Sequence, residues 1–208
     1  MIFQLSNEPV FPDPALAEED GLLAIGGDLS LERLVLAYQN GIFPWFNEDD
    51  PILWYSPPER FVLYPEEIKI SKSMRQVLRS KKFKVTHNQN FKAIIQNCAE
   101  SNRVGQDGTW INSLMIDAYL NLHKKGFAHS VEVWEEDEIV GGLYGVLINQ
   151  VFCGESMFSH KSNASKTALI WLCQNVNIKL VDCQVYTDHL QRMGARMIPR
   201  AEFLDFLR

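Results

Sequence analysis

Glu155, Asp182 and Gln184 stand where their residue types ask for a chemical explanation. Glu155 lies in Phe152-Cys153-Gly154-Glu155-Ser156-Met157-Phe158-Ser159, and the other two in Leu180-Val181-Asp182-Cys183-Gln184-Val185. Both segments read as buried strands. An unpaired carboxylate in an apolar interior either finds a partner or changes its protonation state. Alternation from Leu180 to Tyr186 predicts Asp182, Gln184 and Tyr186 on one face and Val181, Cys183 and Val185 on the other. The acid and the amide would then stand about 7 Å apart between Cα atoms, within hydrogen-bonding reach. Glu155 follows Gly154 at the end of its strand, a place for a bulge or a close ligand approach. A chain that retains two acids and an amide in such places is expected to use them. The plain alternative is a polar cluster kept to set strand register.

Other chemistries find little support. Ser156, Ser159, Ser162 and Ser165 lack the G-x-S-x-G elbow of a nucleophilic serine. His160 and His189 could assist, although His189 fits a helix cap or a solvent-facing position. No H-E-x-x-H or Cys/His spacing suggests a metal, and no cofactor is expected. Neither a phosphate-binding P-loop nor a G-x-G-x-x-G after a strand occurs. Gly141, Gly142 and Gly145 fall within one strand, as bulges or as room for a ligand. Cys98, Cys153, Cys173 and Cys183 form no C-x-x-C pair and read as buried free thiols. Trp45 and Trp110 lie in loops, where they either plug the core or stack on a ligand. Stacking on a nucleobase is worth about 1–3 kcal/mol. Trp134 and Trp171 belong to periodic segments and are expected in the core.

These residues need elements to position them. The chain has 208 residues, enough for one large domain or two small ones. The first sixty are rich in Pro, Gly and aromatics, with one helix capped by Ser30 and striped by Leu31, Leu34, Val35 and Tyr38. A soft boundary is placed near residue 62. Beyond it come helices capped by Asn90 and Asn112, and strands over residues 130–134, 139–148 and 150–154. A helix over 163–173, a strand over 180–186 and two short helices follow. A turn at Glu136-Asp137 argues for an antiparallel meander, and the whole for an α+β domain with a mixed sheet.

The formal charge is −6, yet seven of the twenty basic residues lie between Lys69 and Lys84 with no acid among them. Lys72, Arg75, Arg79 and Lys82 are spaced to share one helix face, with Met74 and Leu78 on another. Such a stripe on an otherwise acidic chain fits contact with a phosphate backbone, or a solvated face with no partner. Met1-Ile2-Phe3-Gln4-Leu5 carries no readable signal peptide, and no run of about 18 apolar residues occurs. The expectation is a soluble, cytoplasmic protein with no membrane partner.

Eight segments together resemble the leucyl/phenylalanyl-tRNA–protein transferase family. They are residues 21–29, residues 41–46, Trp54-Tyr55-Ser56-Pro57, Gly108-Thr109-Trp110-Ile111, His129-Ser130-Val131-Glu132-Val133-Trp134, residues 152–159, residues 163–169 and Asp182-Cys183-Gln184-Val185. Each alone is weak. In family order over nearly the whole chain they are highly specific.

The resemblance implies a small N-terminal α/β domain over residues 1–62. It implies a GNAT-like, acyltransferase-type domain over 63–208, with a mixed, largely antiparallel sheet. The implied activity moves leucine or phenylalanine, with methionine as a further donor, from aminoacyl-tRNA to the N-terminal Arg or Lys of a protein, marking it for degradation. By motif match Asp182, Gln184 and Glu155 are catalytic or orient the acceptor, and Trp45 and Trp110 hold the terminal adenosine. Leu143, Phe152, Leu169, Leu172, Val176 and Val181 line the amino-acid pocket, and Lys72, Arg75, Arg79 and Lys82 contact the tRNA backbone. The implied enzyme is a monomer without metal or cofactor. Two rival readings are an acyl-CoA N-acyltransferase, with residues 191–196 as an imperfect pyrophosphate cradle, and a silent tRNA-binding module.

Overall fold

The structure, a computed structural model, describes residues 2–101 and 111–208. The first fifty-odd residues build a four-stranded sheet and one helix. These are β1 (Phe3–Leu5), β2 (Leu22–Gly26), α1 (Leu31–Gln39), β3 (Phe43–Pro44) and β4 (Leu53–Tyr55), in strand order β1-β2-β4-β3. The Ser30 hydroxyl accepts the Arg33 N–H and so starts α1, whose inward stripe includes Leu34, Ala37 and Tyr38.

The remaining elements are β5 (Glu59–Leu63), α2 (Lys72–Arg79), β6 (Lys84–His87), α3 (Phe91–Glu100), α4 (Ser113–Lys124), β7 (Ala128–Glu135), β8 (Glu138–Ile148), β9 (Val151–Ser159), α5 (Ala164–Asn175), β10 (Leu180–Asp182), α6 (Asp188–Arg192), β11 (Arg196–Pro199) and α7 (Arg200–Phe206). Their strands form a seven-stranded sheet in the order β11-β5-β10-β9-β8-β7-β6. Every pairing in it is antiparallel except β9 with β10, which α5 connects as a crossover. The α+β architecture with a mixed, largely antiparallel sheet is therefore as expected. The Asn90 and Asn112 side chains cap α3 and α4 as their positions predict.

Helices cover both faces of the large sheet, and two glycines of β8 make room for them. A Cβ on Gly141 would stand 2.5 Å from the Ala164 Cβ of α5, and one on Gly142 2.5 Å from Ile94 Cδ1 of α3. Successive strand residues face opposite ways, so α5 and α3 lie on opposite faces. At these two positions the glycines serve helix packing and leave no room for a ligand. Strand β5 spans residue 62 and belongs to the large sheet. One apolar core joins Leu34, Tyr38 and Trp54 to Ile94, Tyr144 and Val146, so the two sheets are packed together.

Several local expectations need correction. The strand expected over 180–186 stops at Asp182, because Gln184 takes a left-handed conformation (φ 62°) and the Val185 N–H bonds back to the Cys183 carbonyl. Helix α2 ends at Arg79, and Lys81 at φ 54° turns the chain away, so Lys82 leaves the basic helix face. Strand β9 continues to Ser159, well past Gly154. Strands β5 and β11 carried no recognised strand signal. Trp134 and Trp171 are only partly buried; the Trp134 indole N–H donates to Thr86 Oγ1 at 2.8 Å. None of the four cysteines forms a disulfide; Cys98 and Cys153 are buried, whereas Cys173 and Cys183 are only half-buried. Among the described residues no helix is long and apolar enough to cross a membrane.

Candidate active site

The site forms where the large sheet splits. Strand β10 pairs with β9 from Leu180 opposite Val151 to Asp182 opposite Cys153, then ends while β9 runs on. Just beyond the split, β9 bulges. Tyr144 faces Ser156 and Gly145 faces Gly154 across the β8–β9 ladder, so Glu155 is the extra residue. A side chain on Gly145 would collide with the Cys153 carbonyl and the Phe152 ring, which explains the glycine there.

Glu155 is 7% exposed and held by three donors. Its Oε1 accepts from Tyr38 Oη of α1 and from Gln184 Nε2, each at 2.8 Å, and its Oε2 accepts from Tyr119 Oη of α4 at 3.1 Å. The two tyrosine hydroxyls also lie within hydrogen-bond distance of each other, and their two protons serve at a time two of the three contacts they make with each other and with Glu155. Burial pushes the carboxyl up to about 7, against the three hydrogen bonds and with the help of the Asp182 charge. A group so tuned exchanges a proton near neutral pH.

Asp182 has no exposure and is committed to an ion pair. Its Oδ1 accepts from Arg60 Nε at 3.2 Å and from the Gln184 backbone N–H at 3.0 Å, while its Oδ2 meets Arg60 Nη2. Arg60 of β5 donates from Nη1 to the Gly41 carbonyl at 2.5 Å. Its guanidinium lies 4.9 Å from the Phe43 ring centre and 4.4 Å from that of Phe203. The acid and the amide are thus linked through the Gln184 backbone, and the Gln184 side chain serves Glu155.

These groups border a cavity of about 440 Å³. Leu143, Phe152, Leu169 and Val181 give it an apolar wall, Phe43, Pro44 and Trp45 another, and the segment from Gln184 to Leu190 contributes much of the rest. Trp45 is 39% exposed and tilts against Tyr55 at 5.8 Å. Leu172 is buried in the core, and Val176 ends α5; neither borders the cavity. Trp110 lies outside the described residues. On α2, Lys72, Arg75 and Arg79 are exposed while Met74 is buried against the core, and Arg75 donates to the Ile70 carbonyl. Lys82 pairs with Glu135 at 3.1 Å.

Sequence reasoning missed Tyr38 and Tyr119 as partners of Glu155, because both fit the apolar stripes of their helices. Nothing in the sequence around Arg60 pointed to its place under Asp182. His189 was expected to cap or face solvent, yet it borders the cavity. Residues 191–196 run from the end of α6 through Gly194 (φ 109°) into β11, so they open no helix as a pyrophosphate cradle would.

Comparison with known proteins agrees with the residue pattern. Residues 62–208 match the family described as leucyl/phenylalanyl-tRNA protein transferase, and residues 27–58 match that family's N-terminal domain. A protein of that name from Flavobacterium johnsoniae is 56% identical over 210 aligned positions, covering 100% of this chain and 99% of the relative. Another from Syntrophobacter fumaroxidans is 55% identical, covering 99% of this chain and 89% of the relative. Among solved structures, a GCN5-related N-acetyltransferase from Kribbella flavida overlaps with a TM-score of 0.40 at 9% identity, over 80% of this chain and 59% of that one, too weak a likeness to carry an argument. Matched in both its parts and at more than half identity end to end, the chain belongs to the leucyl/phenylalanyl-tRNA–protein transferase family.

Proposed function

We propose that this protein transfers leucine or phenylalanine, with methionine as a further donor, from aminoacyl-tRNA to the N-terminal Arg or Lys of acceptor proteins in the cytoplasm, marking them for degradation. The observation that carries this reading is a buried carboxyl, Glu155, tuned to about 7 and bonded to Gln184 at the edge of a largely apolar cavity. The apolar wall suits the donor's side chain, and Trp45 offers a surface on which the terminal adenosine can stack.

The reaction converts an ester into an amide. The acceptor nitrogen bonds to the carbonyl carbon, the bond from that carbon to the ribose oxygen breaks, the nitrogen loses a proton and the ribose oxygen gains one. The acceptor's α-amino group has an ordinary pKa of about 8, so it must shed a proton before it attacks. Glu155 in its charged form is matched to receive that proton, since the two groups differ by only about one unit. Gln184 donates to Glu155 through Nε2, which leaves its amide oxygen to accept from the acceptor amine. Asp182, neutralised by Arg60, fixes the Gln184 backbone and acts here as a positioning residue.

Glu155 and Asp182 border one cavity, which disfavours a silent tRNA-binding module. The decisive experiment mixes the protein with radiolabelled leucyl- or phenylalanyl-tRNA and a peptide beginning with Arg. Label should move into the peptide; label that stays on intact charged tRNA overturns the proposal.

A further inference from the structure

His189 borders the cavity, and its Nε2 is buried without a partner among the described residues. A polar ring atom so placed is costly to leave unbonded, so it points to a ligand group. Arg192 stands one helical turn after His189 on α6, and Lys166, in the first turn of α5, one turn before the cavity-lining Leu169. Burial first, and then the charges of Lys166 and Arg192, hold the imidazole below its ordinary pKa. Lys166 is half-buried and Arg192 exposed, and neither makes an ion pair among the described residues. The nearby acid on α6, Asp188, is bonded to the Tyr186 hydroxyl at 2.7 Å.

The helices that carry these cations meet the basic segment. The Lys69 N–H donates to the Met193 carbonyl at 2.8 Å, which joins the end of α6 to the approach to α2. Helix α5 meets α2 where Thr167, Ile170 and Trp171 face Val77 and Leu78 around a small cavity. Helix α2, with its exposed Lys72, Arg75 and Arg79, is thereby packed against α5 and tied to the end of α6. A cationic acceptor amine gains nothing from this corner. The donor's only anionic groups are its phosphodiesters.

We infer that His189, Lys166 and Arg192 form a phosphate subsite at the cavity edge, which holds the phosphodiester immediately preceding the donor's terminal nucleoside. The inference rests on the proposed function for the identity of the ligand. It assigns the α5–α6 side of the cavity to the donor strand and leaves the Glu155 side to the acceptor.

The test compares two donors with one Arg-initiated peptide. Phenylalanyl-adenosine lacks the phosphodiester, whereas phenylalanyl-CpCpA carries it. For Lys166→Gln/Arg192→Gln, the KM for phenylalanyl-CpCpA should rise about tenfold with kcat little changed, and the KM for phenylalanyl-adenosine should move less than twofold. The salt slope for the trinucleotide should flatten by about 0.7 for each phosphate left without its cation. An equal rise for both donors, or none for either, overturns the subsite. Failure of the wild-type protein to transfer from any donor would instead overturn the proposed function. In that case anisotropy of labelled CpCpA still decides the subsite. Binding should weaken in the double variant and in His189→Ala and be partly restored in His189→Asn; unchanged binding in all three refutes it.

Discussion

Among single residues, Glu155 is the chain's most consequential group because its environment works in two directions. Burial raises its carboxyl from an ordinary 4.5 to about 7, and bonds from Tyr38, Tyr119 and Gln184 stop it rising further. A carboxyl whose pKa is raised on folding binds more protons folded than unfolded, so stability falls as pH rises from about 4.5 through about 7. The shift corresponds to about 3 kcal/mol across that window. Urea unfolding at pH 5 and pH 8 should show this loss in the wild type and a flatter dependence in Glu155→Gln. The same substitution should cut transfer by about 100-fold, the lower end for loss of a proton-transfer group. Equal pH dependence in both proteins would mean that Glu155 stays ionised when folded.

Between elements, the Arg60–Asp182 pair ties β5 to the end of β10 and keeps the split sheet in shape. Both side chains are almost wholly buried. Removing one partner strands the other charge, at a cost of about 3–5 kcal/mol. Asp182→Asn should therefore lower the melting temperature and also unfasten the turn that presents Gln184. If it retained near-normal turnover at saturating substrate, Asp182 would have little part in positioning Gln184. The bulge in β9 matters equally. Glu155 is itself the extra residue, and without it the side chains from Ser156 onward would exchange faces of the sheet.

Over the full chain, charge is divided. The stretch from Lys69 to Lys84 contains no acid, while every one of the 26 acidic residues lies elsewhere. Charge reversal at Arg75 and Arg79 should raise the KM for charged tRNA and flatten its salt dependence, leaving phenylalanyl-adenosine nearly unaffected. An equal effect on both donors would place those arginines in folding and not in tRNA contact. Much of this molecule is local enough to read from residue order: the caps at Ser30, Asn90 and Asn112, the meander around Glu136-Asp137, the run of basic residues, and acids in apolar strands that mark a site. Caps, turns and charge runs depend on neighbours a few residues away, which is why they are legible. Which groups meet was settled by packing in three dimensions. Tyr38 and Tyr119 lie 117 and 36 residues from Glu155, and Arg60 lies 122 from Asp182. No periodicity spans such separations, because those contacts arise from two sheets packing on a shared core and from one extra residue in a strand.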